Sequence, residues 1–255
     1  MSNINKPLVK LLLPIVVAVG YAAFSYFSGG GNAPQQEARP HQQNQRQPHQ
    51  KQQPQQGEQK QSVAGDFTYY VLSLSWSPSF CATQSPGAQQ EQCGTGRRFS
   101  FVVHGLWPQF DKGWPQDCAT SFPARVPEDL IKNTLDMMPS HKLIGHEWEK
   151  HGTCSGLDQA GYFKAARQAK DSITIPAQFV GPKEYITTTS SALKQAFLDA
   201  NKQLHEDMIA VTCKDRNLQE VRICMDKNLT PRACGANEKR QCKSEQLVLP
   251  PIRGG

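Results

Sequence analysis

The nine residues of His146–Cys154, HEWEKHGTC, bring together side chains that can transfer protons and hold an anion. On a helix, at about 100° per residue, four ionisable side chains lie within about 140° of one another. They are His146, Glu147, Lys150 and His151. This face suits acid–base chemistry better than a hydrophobic core, although a solvated polar face would explain any one of the four alone. Gly152 is placed to end the helix, and Cys154 could hold that end covalently.

A second stretch, Phe101–Gln109, carries one histidine near the end of a predicted strand. His104 precedes Gly105, whose missing side chain would let another group come close. A lone histidine in this position is more often structural than functional. Trp107 is either a core residue or a platform for a stacked ring such as a nucleic-acid base, and Trp114 poses the same question. His104 and Trp107 are therefore candidate site residues.

Two separated histidines with a glutamate and a lysine fit the cleavage of RNA by its own 2′-hydroxyl. A neutral imidazole can remove the 2′-hydroxyl proton and an imidazolium can protonate the leaving 5′-oxygen, because imidazole titrates near neutral pH. A nearby ammonium would stabilise the charge that builds on the phosphorane oxygens. This chemistry needs no metal ion or other cofactor. It predicts that DNA, which lacks the 2′-hydroxyl, is not cut.

The elements that must position these residues do not follow a regular βαβ alternation. Period-two patterns predict strands at Phe67–Trp76, Arg98–Leu106, Glu206–Cys213 and Gln219–Met225. Helical spacing predicts helices at His146–Cys154, Glu128–Met138, Gln159–Ala169 and Ser190–Ala200. Gly105 and Pro108 are expected to end the second strand. The predicted class is α+β, with a central, mainly antiparallel β-sheet flanked by helices and stapled by disulfides.

The 255 residues divide by composition into three parts. Residues 1–28 are predicted to be a signal anchor or signal peptide, 29–65 a linker, and 66–255 one folded domain. The formal charge of +6 invites a nucleic-acid partner. However, residues 1–65 carry six basic and two acidic side chains, which leaves only +2 for the remainder. A basic groove in the domain must therefore arise from local arrangement.

The first part combines basic residues with a long apolar run. Lys6 and Lys10 precede Leu11–Phe27, which is just long enough to span a bilayer. No clean small-x-small cleavage site follows it. We expect an uncleaved anchor in the inner membrane, with the N-terminus in the cytoplasm and the rest of the chain outside, and cleavage at a cryptic site is the alternative.

The second part is a tract rich in glutamine and proline. Thirteen of the 27 residues in 35–61 are glutamine, and none is a large apolar residue. Such a segment cannot bury enough surface to offset its chain entropy. We therefore expect 29–65 to be a disordered, flexible linker.

All eight cysteines fall in the third part, and none is in a C-x-x-C spacing. The spacing argues against a zinc ribbon and against a thioredoxin-type redox motif. An even count behind a targeting segment indicates four disulfides in an oxidising compartment, either periplasmic or extracellular. The spacing alone leaves the pairing open.

The two chemical stretches resemble the active-site segments of the ribonuclease T2 family, the second throughout and the first up to Pro108. The family consists of secreted or periplasmic endoribonucleases of α+β fold, and the resemblance covers about residues 66–255. It implies cleavage of single-stranded RNA to 2′,3′-cyclic phosphate ends, which the same enzyme hydrolyses slowly to 3′-phosphates. We expect a monomer that has RNA as its substrate and uses no cofactor.

The resemblance also implies a role for each site residue. His104 would be the general acid and His151 the general base. Glu147 and Lys150 would stabilise the pentacovalent phosphate, and His146 would bind phosphate. The implied disulfides tie the first loop to the catalytic helix and close a nested pair in the C-terminal region. They are Cys118–Cys154, Cys213–Cys242 around Cys224–Cys234, and Cys81–Cys93.

The chain departs from the family pattern after the first stretch. Gln109 stands where relatives often carry an acidic residue near the base pocket, and the loop at 110–116 does not align residue by residue. Base preference therefore cannot be carried over to this chain.

Two other classes of protein compete with the ribonuclease interpretation. A zinc hydrolase is suggested by a superficial likeness of His146, Glu147 and His151 to H-E-x-x-H. The two histidines are five residues apart, however, and not four as that motif requires. A non-catalytic RNA-binding relative is the second alternative, although binding alone requires no acid–base pair.

Overall fold

The computed structural model describes residues 62–115, 117–239 and 241–252. The predicted export segment, 1–28, and residues 29–61 of the predicted linker lie outside the described residues. The last residues of that linker already contact the domain. Val63 forms a bridge with Ala119, and the Gly65 amide donates a 2.9 Å hydrogen bond to the Cys154 carbonyl. Among the described residues, no helix has the length and apolar character needed to cross a membrane.

A β-sheet of six strands lies at the centre of the described part of the chain. The strands are β1 (Tyr69–Trp76), β2 (Phe101–Gln109), β3 (Ile186–Thr188), β4 (Ile209–Lys214), β5 (Asn217–Met225) and β6 (Leu247–Leu249). Their order is β2-β1-β5-β6-β3, and β4 also pairs with β5. Every pairing is antiparallel except that of β5 with β6. The predicted α+β class with a mainly antiparallel sheet is confirmed.

Strand β1 lies between β2 and β5, and nearly all its side chains are buried. One face sends large apolar side chains into the main core: Tyr70, Leu72, Leu74 and Trp76. Because side chains alternate along a strand, the other face carries Tyr69, Val71, Ser73 and Ser75. The sequence YYVLSLSW thus builds one apolar face and one face that becomes small and polar towards its end.

Six α-helices flank the sheet within the described residues. They are α1 (Ser77–Ala82), α2 (Gln90–Cys93), α3 (Glu128–Lys132), α4 (His141–Lys150), α5 (Gln159–Asp171) and α6 (Ser190–Ala200). Helices α5 and α6 begin where the spacing predicts. Asp158 and Thr189 cap them by accepting hydrogen bonds from backbone amides of the first turn.

Several predicted boundaries are wrong. The helix predicted at Glu128–Met138 ends at Lys132. Just beyond, the Thr134 hydroxyl donates a 2.7 Å hydrogen bond to the Leu130 carbonyl, and turns rather than helix continue the chain. The strand predicted at Glu206–Cys213 begins only at Ile209, because 206–208 form a 3₁₀ turn.

Strand β2 begins and ends three residues later than predicted, and it carries a bulge at His104. It continues through Pro108 to Gln109, which is possible because β2 is an edge strand and needs no amide donor on its open side. Ser73 pairs with Gly105 and Leu74 with Val103, so His104 is the extra residue between the two pairs. Such a bulge re-aims a side chain out of the regular alternation.

Helix α4 begins five residues before the chemical stretch and ends within it. The Ser140 hydroxyl caps it by accepting a 3.3 Å hydrogen bond from the Leu143 amide. The helix ends at Lys150, so the expectation that Gly152 ends it is wrong. A Cβ at Gly152 would lie 2.4 Å from the Trp148 ring. Glycine is needed there for close packing rather than as a helix terminator.

Four disulfides close the described domain, and they join the same pairs that the family resemblance implies. The bonds are Cys81–Cys93, Cys118–Cys154, Cys213–Cys242 and Cys224–Cys234. Among the described residues, no cysteine is free. The bond between Cys118 and Cys154 ties the loop after β2 to the turn that follows α4.

Candidate active site

His104 projects from the bulge of β2 and contacts two carboxylates. Its Nδ1 lies 2.6 Å from Oε1 of Glu220, and its Nε2 lies 3.7 Å from Oε1 of Glu147. The His104 side chain is 36% exposed, so a substrate can reach it.

The pKa of His104 is raised by these neighbours. Burial alone would lower it, but the hydrogen bond to Glu220 and the negative charges of Glu147 and Glu220 outweigh burial. The cation of Arg222 opposes them only in part. His104 therefore keeps its proton to higher pH than an ordinary histidine, which suits a general acid.

Glu147 is a nearly inaccessible carboxyl group, with only 1% of its surface exposed. The Trp107 indole donates a 2.8 Å hydrogen bond to Oε2, whereas Oε1 has no hydrogen-bond partner among the described residues. A Cβ at Gly105 would lie 1.9 Å from Oε2 and 2.2 Å from the indole nitrogen. The predicted close approach at Gly105 is thus present, and Glu147 makes it.

The pKa of Glu147 is raised to about 7. Burial is the main cause, and the negative charge of Glu220 adds to it. The hydrogen bond from Trp107 and the charge of His104 oppose the shift. Near neutral pH a large fraction of Glu147 is protonated, and in that form it can donate a hydrogen bond instead of repelling an anion.

His151 lies immediately after α4, out of the helical conformation. Its ring centroid is 5.4 Å from that of Trp107. Its Nδ1 is buried and has no hydrogen-bond partner within the described ranges. Burial, together with the positive charges of His104, His146 and Lys150, lowers the pKa of His151 to about 4. His151 is therefore neutral at physiological pH, as a general base must be.

Lys150 and His146 extend the site along α4. The Lys150 ammonium lies 2.6 Å from Oδ1 of Asp117, and both side chains are about half exposed. Asp117 precedes Cys118, whose disulfide brings this loop to the end of α4. His146 is exposed and, with His104, lines a cavity of about 300 Å³. The four residues predicted on one face of the stretch thus lie around one region.

Trp107 is half buried at the centre of the site. Its ring meets that of His104 edge-on at 5.1 Å, and the Arg222 guanidinium lies 5.1 Å from its centroid. These contacts and the bond to Glu147 fit a residue that holds catalytic groups in place. Base stacking by Trp107 stays a prediction. Trp114, by contrast, is 54% exposed.

The sequence analysis missed Glu220 and Arg222. They lie on β5, more than 110 positions after His104, with Val221 buried between them. Alternation of that kind usually indicates a solvated face, so the pair gave no chemical signal. The available signal was on β1, where Ser73 and Ser75 leave room for long side chains from a neighbouring strand.

The residue that departs from the family pattern has a structural partner. Gln109 is buried, and its side-chain carbonyl accepts a 2.9 Å hydrogen bond from the Asn237 amide. The same Asn237 amide donates to the Gly113 carbonyl at 2.9 Å. Gln109 therefore helps to fix the loop at 110–113 against the C-terminal region.

The zinc-hydrolase alternative requires a cluster of side chains that can ligate a metal ion. Within 62–115, 117–239 and 241–252, no group of three or more His, Cys, Asp or Glu side chains is arranged to hold a metal ion.

Comparisons with known proteins identify the family. The model of the ribonuclease T2 family matches residues 67–234. A protein named "Ribonuclease" from Aeromonas hydrophila is 39% identical over 201 residues, which are 74% of this chain and 88% of that protein. A "Probable ribonuclease" from Haemophilus influenzae is 34% identical over 157 residues, or 56% of this chain and 57% of that protein.

A solved structure shows the same fold. The RNase-related protein from Calystegia sepium superposes with a TM-score of 0.60 at 23% identity, covering 73% of this chain and 98% of that one. The chain belongs to the ribonuclease T2 family, and it is an endoribonuclease. The resemblance that the sequence suggested is confirmed.

Proposed function

We propose that this chain cleaves single-stranded RNA by transesterification, without a metal ion, with His104 as general acid and His151 as general base. The observation that carries the proposal is that the two histidines contact the same tryptophan yet have pKa values shifted in opposite directions. One imidazole is prepared to give a proton and the other to take one. Such a pair suits a reaction that needs both steps at once.

In the first step neutral His151 takes the proton of the 2′-hydroxyl, and the 2′-oxygen bonds to phosphorus. The bond from phosphorus to the 5′-oxygen then breaks, and protonated His104 gives its proton to that oxygen. The products are a 2′,3′-cyclic phosphate and a free 5′-hydroxyl. In the slower second step the roles reverse, and water opens the cyclic ester to a 3′-phosphate.

Three further residues would stabilise the pentacovalent phosphate. Protonated Glu147 can donate a hydrogen bond to a phosphoryl oxygen, as its pKa of about 7 allows. Lys150 supplies positive charge, and Asp117 fixes its position until the phosphate competes for it. His146 lines the adjoining cavity and would bind phosphate there.

The test uses the full-length, oxidised chain and two matched oligonucleotides that differ only by a 2′-deoxy sugar at one step. Both are incubated with excess chelator, and the product ends are identified by mass. We expect cyclic-phosphate ends from the all-RNA strand and no cut at the deoxy step. Cleavage blocked by chelator would favour the zinc-hydrolase alternative. Cleavage at the deoxy step would contradict the 2′-hydroxyl mechanism.

The pH dependence of kcat/KM provides a second test. His151 must be neutral, so activity falls as pH drops through its pKa of about 4. His104 must be protonated, so activity falls as pH rises through its raised pKa, and Glu147 contributes to the same limb. We expect a bell with a broad top. A rate that keeps rising into alkaline pH would contradict these roles.

We also propose that the enzyme acts as a monomer outside the cytoplasm. Four disulfides support an oxidising compartment, and residues 1–28 have the composition of an export segment. Cell fractionation with an alkaline wash and N-terminal sequencing would separate an anchored chain from a cleaved one. Size-exclusion chromatography with light scattering would test the monomer. Full activity confined to the cytosolic fraction would contradict the location.

A further inference from the structure

The edge of the site opposite α4 is formed by two side chains that reach across a strand. Glu220 and Arg222 of β5 are paired with Ser75 and Ser73 of β1. They therefore lie on the face of the sheet where β1 ends in two serines, Ser73 and Ser75. Because serine side chains are short, Glu220 can cross β1 and reach His104 in β2.

Contacts among five residues form a closed ring around this edge. Arg222 makes two hydrogen bonds to Oε2 of Glu220, at 2.7 and 2.9 Å, and its guanidinium also lies against the Trp107 ring. Oε1 of Glu220 remains for His104 Nδ1. The ring closes as His104 approaches Glu147 and Trp107 donates to Glu147.

We propose that Glu220, held in place by Arg222, is a positioning residue for the general acid His104. This inference rests on the proposed function, in which His104 protonates the leaving oxygen. Glu220 accepts the hydrogen bond from Nδ1, which leaves Nε2 as the nitrogen that carries the transferable proton. The same contact fixes the orientation of the ring and stabilises the imidazolium.

The ionisation of Glu220 fits this role. Burial alone would raise the pKa of Glu220, but the hydrogen bond from His104 and the two contacts with Arg222 lower it to about 2. Glu220 thus remains a carboxylate throughout the working pH range. When His104 gives up its proton from Nε2, the Nδ1 proton stays on the ring, so Glu220 accepts a hydrogen bond in both states.

Charged and titratable groups face His104 from two elements. Glu220 and Arg222 on β5 and Glu147 on α4 shift its pKa. His146 lines the same cavity from α4, and His151 follows that helix. Glu220 and Arg222 affect His104 with opposite sign, which provides a test that structural damage cannot imitate.

The experiment compares Glu220→Gln and Arg222→Met in the full-length oxidised chain. In each variant the His104 imidazole is titrated by NMR, and kcat/KM is measured against pH with a short RNA. Glu149→Gln is the matched control, because Glu149 is an exposed carboxylate on α4. A thermal melt confirms that each variant is folded.

For Glu220→Gln we expect the His104 pKa to fall and the alkaline limb of kcat/KM to move to lower pH. An activity loss of about tenfold appears on that limb and shrinks at acidic pH. For Arg222→Met we expect the His104 pKa and the limb to move to higher pH, because the opposing cation is gone. Glu149→Gln should change neither quantity.

Three outcomes separate the inference from the proposed function. An unchanged His104 pKa in Glu220→Gln, or a shift in the same direction in both variants, would overturn the positioning role. An NMR shift as expected with an unmoved kinetic limb would leave Glu220 as the partner of His104 but would overturn His104 as the general acid. A uniform loss at every pH, with an unmoved pKa, would reduce Glu220 to a structural residue and overturn the inference.

Discussion

His104 lies on a strand among carboxylates, whereas His151 follows a helix among cations. Glu220 and Glu147 contact His104 directly, and together they raise its pKa against the effect of burial. His151 has Lys150 beside it in sequence, its Nδ1 has no hydrogen-bond partner among the described residues, and its pKa falls to about 4. The pKa of the same side chain is thus shifted in opposite directions within one site.

The difference between the two histidines comes from the elements that carry them. A residue on β2 can be reached across the sheet by long side chains of β5, two strands away. A residue at the end of α4 lies near the positive charges of that helix, Lys150 and His146, and the carboxylate of Asp117 on the Cys118 loop opposes them only in part. In the proposed mechanism, this placement of the acid on a sheet and the base at a helix terminus would set the direction of proton transfer before any RNA binds.

The largest effect on turnover is expected when either of the two imidazoles is removed. We expect His104→Ala and His151→Ala each to lower kcat by about 10²–10⁴-fold, since each loses one proton-transfer step. His205→Ala, at an exposed histidine outside the site, is the control and should keep its activity. Turnover is measured with a short RNA, and circular dichroism checks the fold. A near-normal rate in either site variant would remove that residue from its role.

Lys150 affects the pKa of His151 and is not among the groups that shift the pKa of His104. Its positive charge disfavours a second cation at His151. We expect Lys150→Ala to lower kcat by about tenfold, through loss of charge stabilisation of the phosphorane. The effect is limited because the ammonium is about half exposed. The acid limb should also move to higher pH, because the charge of Lys150 lowers the pKa of His151 and its removal raises that pKa. 

Lys170→Ala is the matched control for Lys150→Ala. Lys170 is 43% exposed and pairs with Asp171, whereas Lys150 is 42% exposed and pairs with Asp117. The two variants therefore lose the same kind of surface ion pair, and only one of them lies in the site. Equal rates for the two variants would show that Lys150 contributes nothing to turnover.

Trp107 touches both histidines, and a conservative change can separate its two suggested roles. Trp107→Phe keeps an aromatic ring but removes the hydrogen bond to Glu147. We expect a loss of about fivefold in kcat, the usual size for one neutral hydrogen bond, with KM nearly unchanged. Trp76→Phe, which loses an indole bond to the Pro250 carbonyl away from the site, is the control. A rise in KM alone would favour base stacking.

The smallest effects are expected in stability, where the two histidines should have opposite signs. The lowered pKa of His151 contributes stability above its ordinary value of 6.5, which is lost as pH falls through about 4. The raised pKa of His104 contributes stability at low pH that is lost as pH rises. Between pH 7 and 4, the wild type should lose about 3 kcal/mol more than His151→Ala.

Urea unfolding at several pH values measures this difference. His104→Ala should flatten the stability curve on the alkaline side instead, and His205→Ala should follow the wild type. If the free energy of unfolding depended on pH in the same way in His104→Ala and His151→Ala, the surroundings of the two histidines would not differ in their effect on the pKa values.

Sequence reasoning reached the residues of the site that are close together in the chain. The spacing in His146–Cys154 placed four side chains in one region, although His151 lies beyond the helix and Glu147 is buried rather than on an open face. Helical spacing could not show this, because burial of Glu147 depends on the gap at Gly105 in another element.

The rest of the site depends on pairing across the sheet, which the sequence does not record. The bulge at His104 exists only relative to the partner residues of β1, and it breaks the alternation on which the strand prediction relied. Glu220 and Arg222 acquire their role through two intervening serines on a different strand. In the same way, the short helix α1 was missed because six residues carry too little periodicity to be recognised.

The bond between Cys118 and Cys154 also affects when the enzyme is complete. Protein disulfides do not persist in a reducing cytoplasm. A chain in that compartment lacks the covalent link that keeps Asp117 beside Lys150 at the end of α4. If the chain is exported as proposed, oxidation would complete this end of the site only after the enzyme has left the compartment that holds the cell's own ribosomes and messenger RNA.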